Sequence, residues 1–86
     1  MTLAGYRERI TAADHDLLAA INRRLELVRE LHGYKQAEGI PLRDPAREEE
    51  LVAGLQAANP GPLSSEGVAE LFHHVLELTR RELHGE

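Results

Sequence analysis

Cysteine and tryptophan are both absent from the 86 residues, and the aromatic side chains amount to Tyr6, Tyr34 and Phe72. Without cysteine there can be neither a disulfide nor a thiolate metal site. The five histidines do not replace one: His73 and His74 are adjacent, about 100° apart around a helix, and no pair has the HxxxH spacing that stacks two imidazoles. Neither a thiolate nor a paired-histidine metal site is therefore expected. So few aromatics leave no stacking platform for single-stranded nucleic acid. A net charge of −5, with the cations interleaved among acids, disfavours a phosphate-backbone footprint. No apolar run approaches a membrane span of about 20 residues, and the N-terminus lacks a signal-peptide core, so a cytoplasmic location is expected. Eighty-six residues read as one domain, 1–86. Chains this short bury a limited core and commonly lean on disulfides, metals or oligomerisation. With the first two gone, oligomerisation remains.

Two breaks punctuate the chain, Glu38-Gly39-Ile40-Pro41 and Asn59-Pro60-Gly61-Pro62, because Gly and Pro interrupt helices and favour turns. Between them the pattern is helical throughout, with no strand alternation. The first segment, roughly 3–37, places Leu3, Ile10 and Leu17 at seven-residue intervals and Leu31 two such intervals on, with Ile21 and Val28 as a second row. This is an a/d stripe over four heptads. A second helix opens at Asp44-Pro45, a favoured N-cap followed by a favoured first residue, and stops near Asn59. A third opens at Ser64 or Ser65 and runs through Val68, Leu71, Phe72, Val75, Leu76 and Leu78-Thr79 to about Leu83. The fold class is all-α, three helices with a long first one. At 1.5 Å per residue that helix is about 50 Å long, whereas a compact domain of this size has a radius of gyration of only about 12 Å. Two short companions cannot cover it. An intertwined antiparallel homodimer, with the long helices crossing, is the expected assembly.

Charges interrupt the stripe. Its two rows also contain Arg7, Asp14, Arg24 and Lys35, and burying an unpaired charge costs several kcal/mol. A polar seam residue can simply fix register, but three long cations on one seam call for an anion. Arg24 and Lys35 are eleven residues apart, about 16 Å along one helical face, while Arg7 is about 25 Å from Arg24 and cannot join them within the chain. If two long helices cross antiparallel near Leu17 and Leu18, the partner's Arg7 arrives beside the Arg24–Lys35 interval. A two-fold dimer then has two equivalent cationic sites. Asp44, Arg47 and Glu48 follow on the second helix, with Glu48 one turn beyond Asp44; taken singly, a cap and solvated surface residues account for them.

The ordered set Tyr6-Arg7-Glu8-Arg9-Ile10, Asp14 to Leu18, Arg23-Arg24-Leu25-Glu26-Leu27-Val28, Lys35, Pro41-Leu42-Arg43-Asp44-Pro45-Ala46-Arg47-Glu48 and Leu71-Phe72 resembles the all-α, type II chorismate mutase family over nearly the whole chain. No single motif is decisive; the order and the three helix lengths carry the likeness. The resemblance implies an intertwined dimer that rearranges chorismate, a dianion, to prephenate without a cofactor. It assigns the partner's Arg7 to one substrate carboxylate and Arg24 to the other. Lys35 donates to the breaking ether oxygen, Asp44 and Glu48 meet the ring hydroxyl, and Arg47 supports the carboxylate site. Thr79 stands where the family often has a serine near a carboxylate. Leu83 departs: the family carries Gln or Glu there as a second donor to the ether oxygen, and leucine donates nothing. Loss of one preorganised donor typically costs about 10²–10³-fold in rate. Two alternatives follow from that departure. One is a related enzyme on the same fold, an isochorismate-pyruvate lyase or an aminodeoxychorismate mutase. The other is a non-catalytic helical dimerisation or regulatory module.

Overall fold

The computed structural model describes residues 1–84. Three helices follow one another: α1 (Leu3–Glu38), α2 (Pro45–Ala58) and α3 (Ser65–His84). Among the described residues there is no strand, and no helix is long and apolar enough to cross a membrane.

Local chemistry sets five of the six helix ends. Thr2 caps α1, its Oγ1 accepting from the Gly5 N–H at 3.0 Å, which satisfies one of the donors a helix start leaves open. At the other end Gly39 has φ of +69°, a left-handed conformation natural to glycine. The Ile40 N–H donates to the Lys35 carbonyl at 2.8 Å and the Gly39 N–H to that of Gln36 at 3.3 Å. This double closure is a Schellman motif, and it carries α1 one residue past the expected end. Asp44 caps α2 by accepting from the Arg47 N–H at 3.1 Å, with Pro45 as the first helical residue. Asn59 ends α2 in extended backbone, as a residue before proline prefers. Its side chain then braces the turn, Nδ2 donating to the Leu63 carbonyl at 2.6 Å and Oδ1 accepting from the Gly61 N–H at 3.1 Å. Of the two serines expected to open α3, Ser64 is the cap, its Oγ accepting from the Gly67 N–H at 3.0 Å.

The chain forms two compact units, Met1–Tyr34 and a second that begins at Lys35. In the first, no residue of α1 is buried. The seam leucines and isoleucine Leu3, Ile10, Leu17 and Leu31 stand 46–65% exposed; besides Gly5, only Ile21, Arg24, Leu25, Val28 and His32, toward its C-terminal part, are half-buried. In the second unit α2 and α3 pack on each other. Among the described residues, Val52 from α2 and Val68, Val75, Leu76 and Thr79 from α3 are buried. The α3 set, with half-buried Phe72 and Leu83, recurs at helical spacing and makes one apolar face. A further tie joins the two helices, Gln56 Nε2 donating to the Ser65 carbonyl at 2.9 Å.

Candidate active site

Six of the eight expected site residues belong to the second unit: Lys35, Asp44, Arg47, Glu48, Thr79 and Leu83. Arg7 and Arg24 belong to the first, both on α1, with Arg7 exposed and Arg24 half-buried.

Lys35 sits in the last turn of α1, half-buried. Its Nζ donates to the Leu42 carbonyl at 3.4 Å, a long contact that directs the ammonium toward the α1–α2 connection and uses one of its three donors. Two residues on, Asp44 is exposed and its Oδ1 already serves the α2 cap. The cap therefore orients this carboxylate. Arg47, at the third position of α2, is exposed.

Glu48 is the best-anchored of the acids. Its backbone N–H closes the first turn of α2 onto the Asp44 carbonyl at 3.1 Å. Its carboxylate lies between two guanidinium groups: Arg80 Nη1 is 3.1 Å from Oε2, and Arg43 Nη2 is 3.6 Å from Oε1. The Glu48 side chain is 27% exposed and that of Arg80 33%, against 60% for Arg43. Arg80 therefore makes the shorter and better shielded contact. These groups edge an open cleft of about 370 Å³, which Leu76 and His73 also line.

Thr79 and Leu83 lie one turn apart on α3. Thr79 is buried, and its hydroxyl donates to the Val75 carbonyl at 2.7 Å, a back-bond to the preceding turn common for helical threonine. Leu83 is half-buried and presents only hydrocarbon.

Arg80 and Arg43 escaped the sequence reading. Arg43 flanks the cap, and an arginine there has no distinguishing spacing. Arg80 and Glu48 are 32 positions apart, so no helical periodicity links them. The available signal was chemical: a long cation beside Thr79, on a helix whose neighbouring positions were already assigned to the site.

Comparison with known proteins bears on the whole arrangement. The profile of the family described as chorismate mutase type II matches residues 6–83. A search of curated proteins gave no match. Among solved structures, form I of the chorismate mutase from Thermus thermophilus is similar at 31% sequence identity. The likeness covers 90% of this chain and 96% of that one, with a TM-score of 0.87. Form II of the same enzyme is similar at 31% identity over 90% of this chain and 88% of that one, with a TM-score of 0.85.

Proposed function

The chain belongs to the type II chorismate mutase family, and from that membership we propose that it acts as a cofactor-free chorismate mutase, one domain over residues 1–86, in the cytoplasmic branch of metabolism leading to phenylalanine and tyrosine. The reaction is an isomerisation. The ether C–O bond of chorismate breaks as a C–C bond forms between the enolpyruvyl side chain and the ring, giving prephenate with no atom gained or lost. No nucleophile or proton relay is formally needed. The catalyst must hold a flexible dianion in a compact, chair-like shape and stabilise the negative charge that grows on the ether oxygen. Orientation and electrostatic preorganisation are the effects suited to that task.

The residues divide that work. Arg24 binds one carboxylate through its forked donors and the partner's Arg7 binds the other. Lys35 places an ammonium at the ether oxygen. Asp44 and Glu48 contact the ring hydroxyl, Arg47 supports the carboxylate site, and Thr79 offers a hydroxyl near a carboxylate. The assembly is an intertwined antiparallel homodimer, for which the support is the seam of α1: Leu3, Ile10 and Leu17 are each more than half exposed in a helix with no buried residue. An apolar stripe of that length calls for a covering surface.

The family match over residues 6–83 carries the assignment. Its test is ultraviolet detection of chorismate loss with the protein alone, prephenate being identified as product. Arg24→Ala and Lys35→Ala are each expected to lower turnover by at least about 10²-fold. Persistence of wild-type rates in both would overturn the assignment. Leu83 favours one second reading, a related enzyme on the same fold acting on isochorismate or aminodeoxychorismate. Comparing consumption of all three substrates decides between them.

A further inference from the structure

Arg80 has no role in the division of work proposed above, yet it makes the shorter of the two ion pairs at Glu48. Its Nη1 is 3.1 Å from Glu48 Oε2, while Arg43 stands 3.6 Å from the other oxygen. We propose that Arg80 is a positioning and specificity-determining residue of the catalytic site, fixing the Glu48 carboxylate as an acceptor for the substrate's ring hydroxyl and disfavouring a substrate with an ammonium in that place. This rests on the assignment of Glu48 to the ring hydroxyl.

The geometry supports the first half. A carboxylate on a glutamate has three rotatable bonds, and ordering them costs free energy at each binding event. A partner from a different helix removes that freedom beforehand. Arg80 lies on α3 and Glu48 on α2, helices that pack on each other, so the pair is anchored at both ends. A carboxylate accepts about four hydrogen bonds. Guanidinium groups on Oε1 and Oε2 leave acceptor capacity on both oxygens, enough for one small neutral donor.

Charge supports the second half. A neutral hydroxyl meets Glu48 as a simple acceptor. An ammonium, as on a 4-amino analogue of chorismate, would meet two guanidinium groups already gathered on that carboxylate, and Coulomb repulsion between charges about 4 Å apart is substantial near a protein surface. Glu49 and Glu77 also border the cleft. Neither is paired with Arg80 or Arg43 in the ion pairs at Glu48, and repulsion at the Glu48 oxygens is set first by the groups touching them.

The experiment compares wild type with Arg80→Leu and Arg80→Lys, assaying chorismate and aminodeoxychorismate separately. Arg80→Leu is expected to raise the KM for chorismate by about fivefold, near the most that a part-exposed ion pair sustains, with a smaller change in kcat. The ratio of kcat/KM for the amino substrate to that for chorismate is expected to rise by a similar factor. Arg80→Lys, which keeps the cation, should stay within about twofold of wild type in that ratio. A purely structural role would depress both substrates alike. An unchanged ratio in Arg80→Leu, with chorismate turnover intact in the wild type, overturns the role of Arg80 alone. If Glu48→Gln leaves the chorismate KM unaltered, the assignment of Glu48 fails, and this inference with it. A wild type that consumes neither substrate overturns the mutase reading itself.

Discussion

Under the proposed assignment, Leu83 is the site position whose side chain cannot take the role the family resemblance implies. It is half-buried on α3, one turn after Thr79, where the resemblance implies a side chain able to donate to the ether oxygen. Lys35 then stands as the principal assigned donor to that atom. Leu83→Gln restores the amide, and on a part-shielded helical position its stem replaces most of the hydrocarbon it removes. Turnover is expected to rise by tenfold or more, toward the roughly 10²–10³-fold that one preorganised donor can supply, with the KM for chorismate little changed because the gain arises in the transition state. Steady-state kinetics of the variant beside wild type checks this. A flat kcat would mean that another group already fills the place. At this scale the sequence is readable where charge violates pattern. Arg7, Arg24 and Lys35 stand out because each falls in an apolar row. Arg80 does not, because its meaning lies in a contact with Glu48 across 32 positions, and nothing local marks it.

At the level of elements, α2 carries its own conflict of roles. Asp44 both caps the helix, through the 3.1 Å bond from the Arg47 N–H, and is assigned to the ring hydroxyl. Substitution separates the two. Asp44→Ala removes the cap and is expected to cost about 1 kcal/mol of stability. Asp44→Asn keeps an oxygen able to accept from the same N–H, so its stability should stay within a few tenths of a kcal/mol of wild type. Both lose the carboxylate, and both should weaken chorismate binding. Thermal unfolding in parallel with KM measurements reports the two roles independently; an Asn variant with full affinity would reduce Asp44 to a cap. Helix limits were legible because their signals are local: Asp44-Pro45, Asn59-Pro60 and Ser64 each act within a turn. The end of α1 came one residue late because the Gly39 closure reaches back to the Lys35 carbonyl, a geometry that residue type alone suggests without fixing. The buried face of α3 was equally plain, since Val68, Phe72, Val75, Leu76 and Thr79 follow helical spacing. For α1, periodicity marked a stripe but could not say what covers it.

The whole-molecule proposal is that each catalytic site draws Arg24 from one chain and Arg7 from its partner, and the strongest test uses two inactive proteins. Arg7→Ala and Arg24→Ala are each expected to be nearly inert as pure species, since every site in either dimer lacks one carboxylate anchor. Mixing them after joint unfolding and refolding gives a different arithmetic. Random reassortment makes about half of the dimers mixed, and by two-fold symmetry each mixed dimer has one site with both lesions and one with neither. Activity should return to roughly a quarter of wild type. Were Arg7 to serve the site of its own chain, every site in the mixture would retain one lesion and nothing would return. A companion variant, Leu17→Glu, places a charge in the exposed seam of α1 (Leu17 is 56% exposed in the single chain). If the seam is buried between copies, that charge loses its hydration there and is expected to halve the mass in solution, as read by sedimentation, and to abolish turnover. An assembly of unchanged mass in Leu17→Glu, together with no recovery on mixing, would remove the shared site altogether.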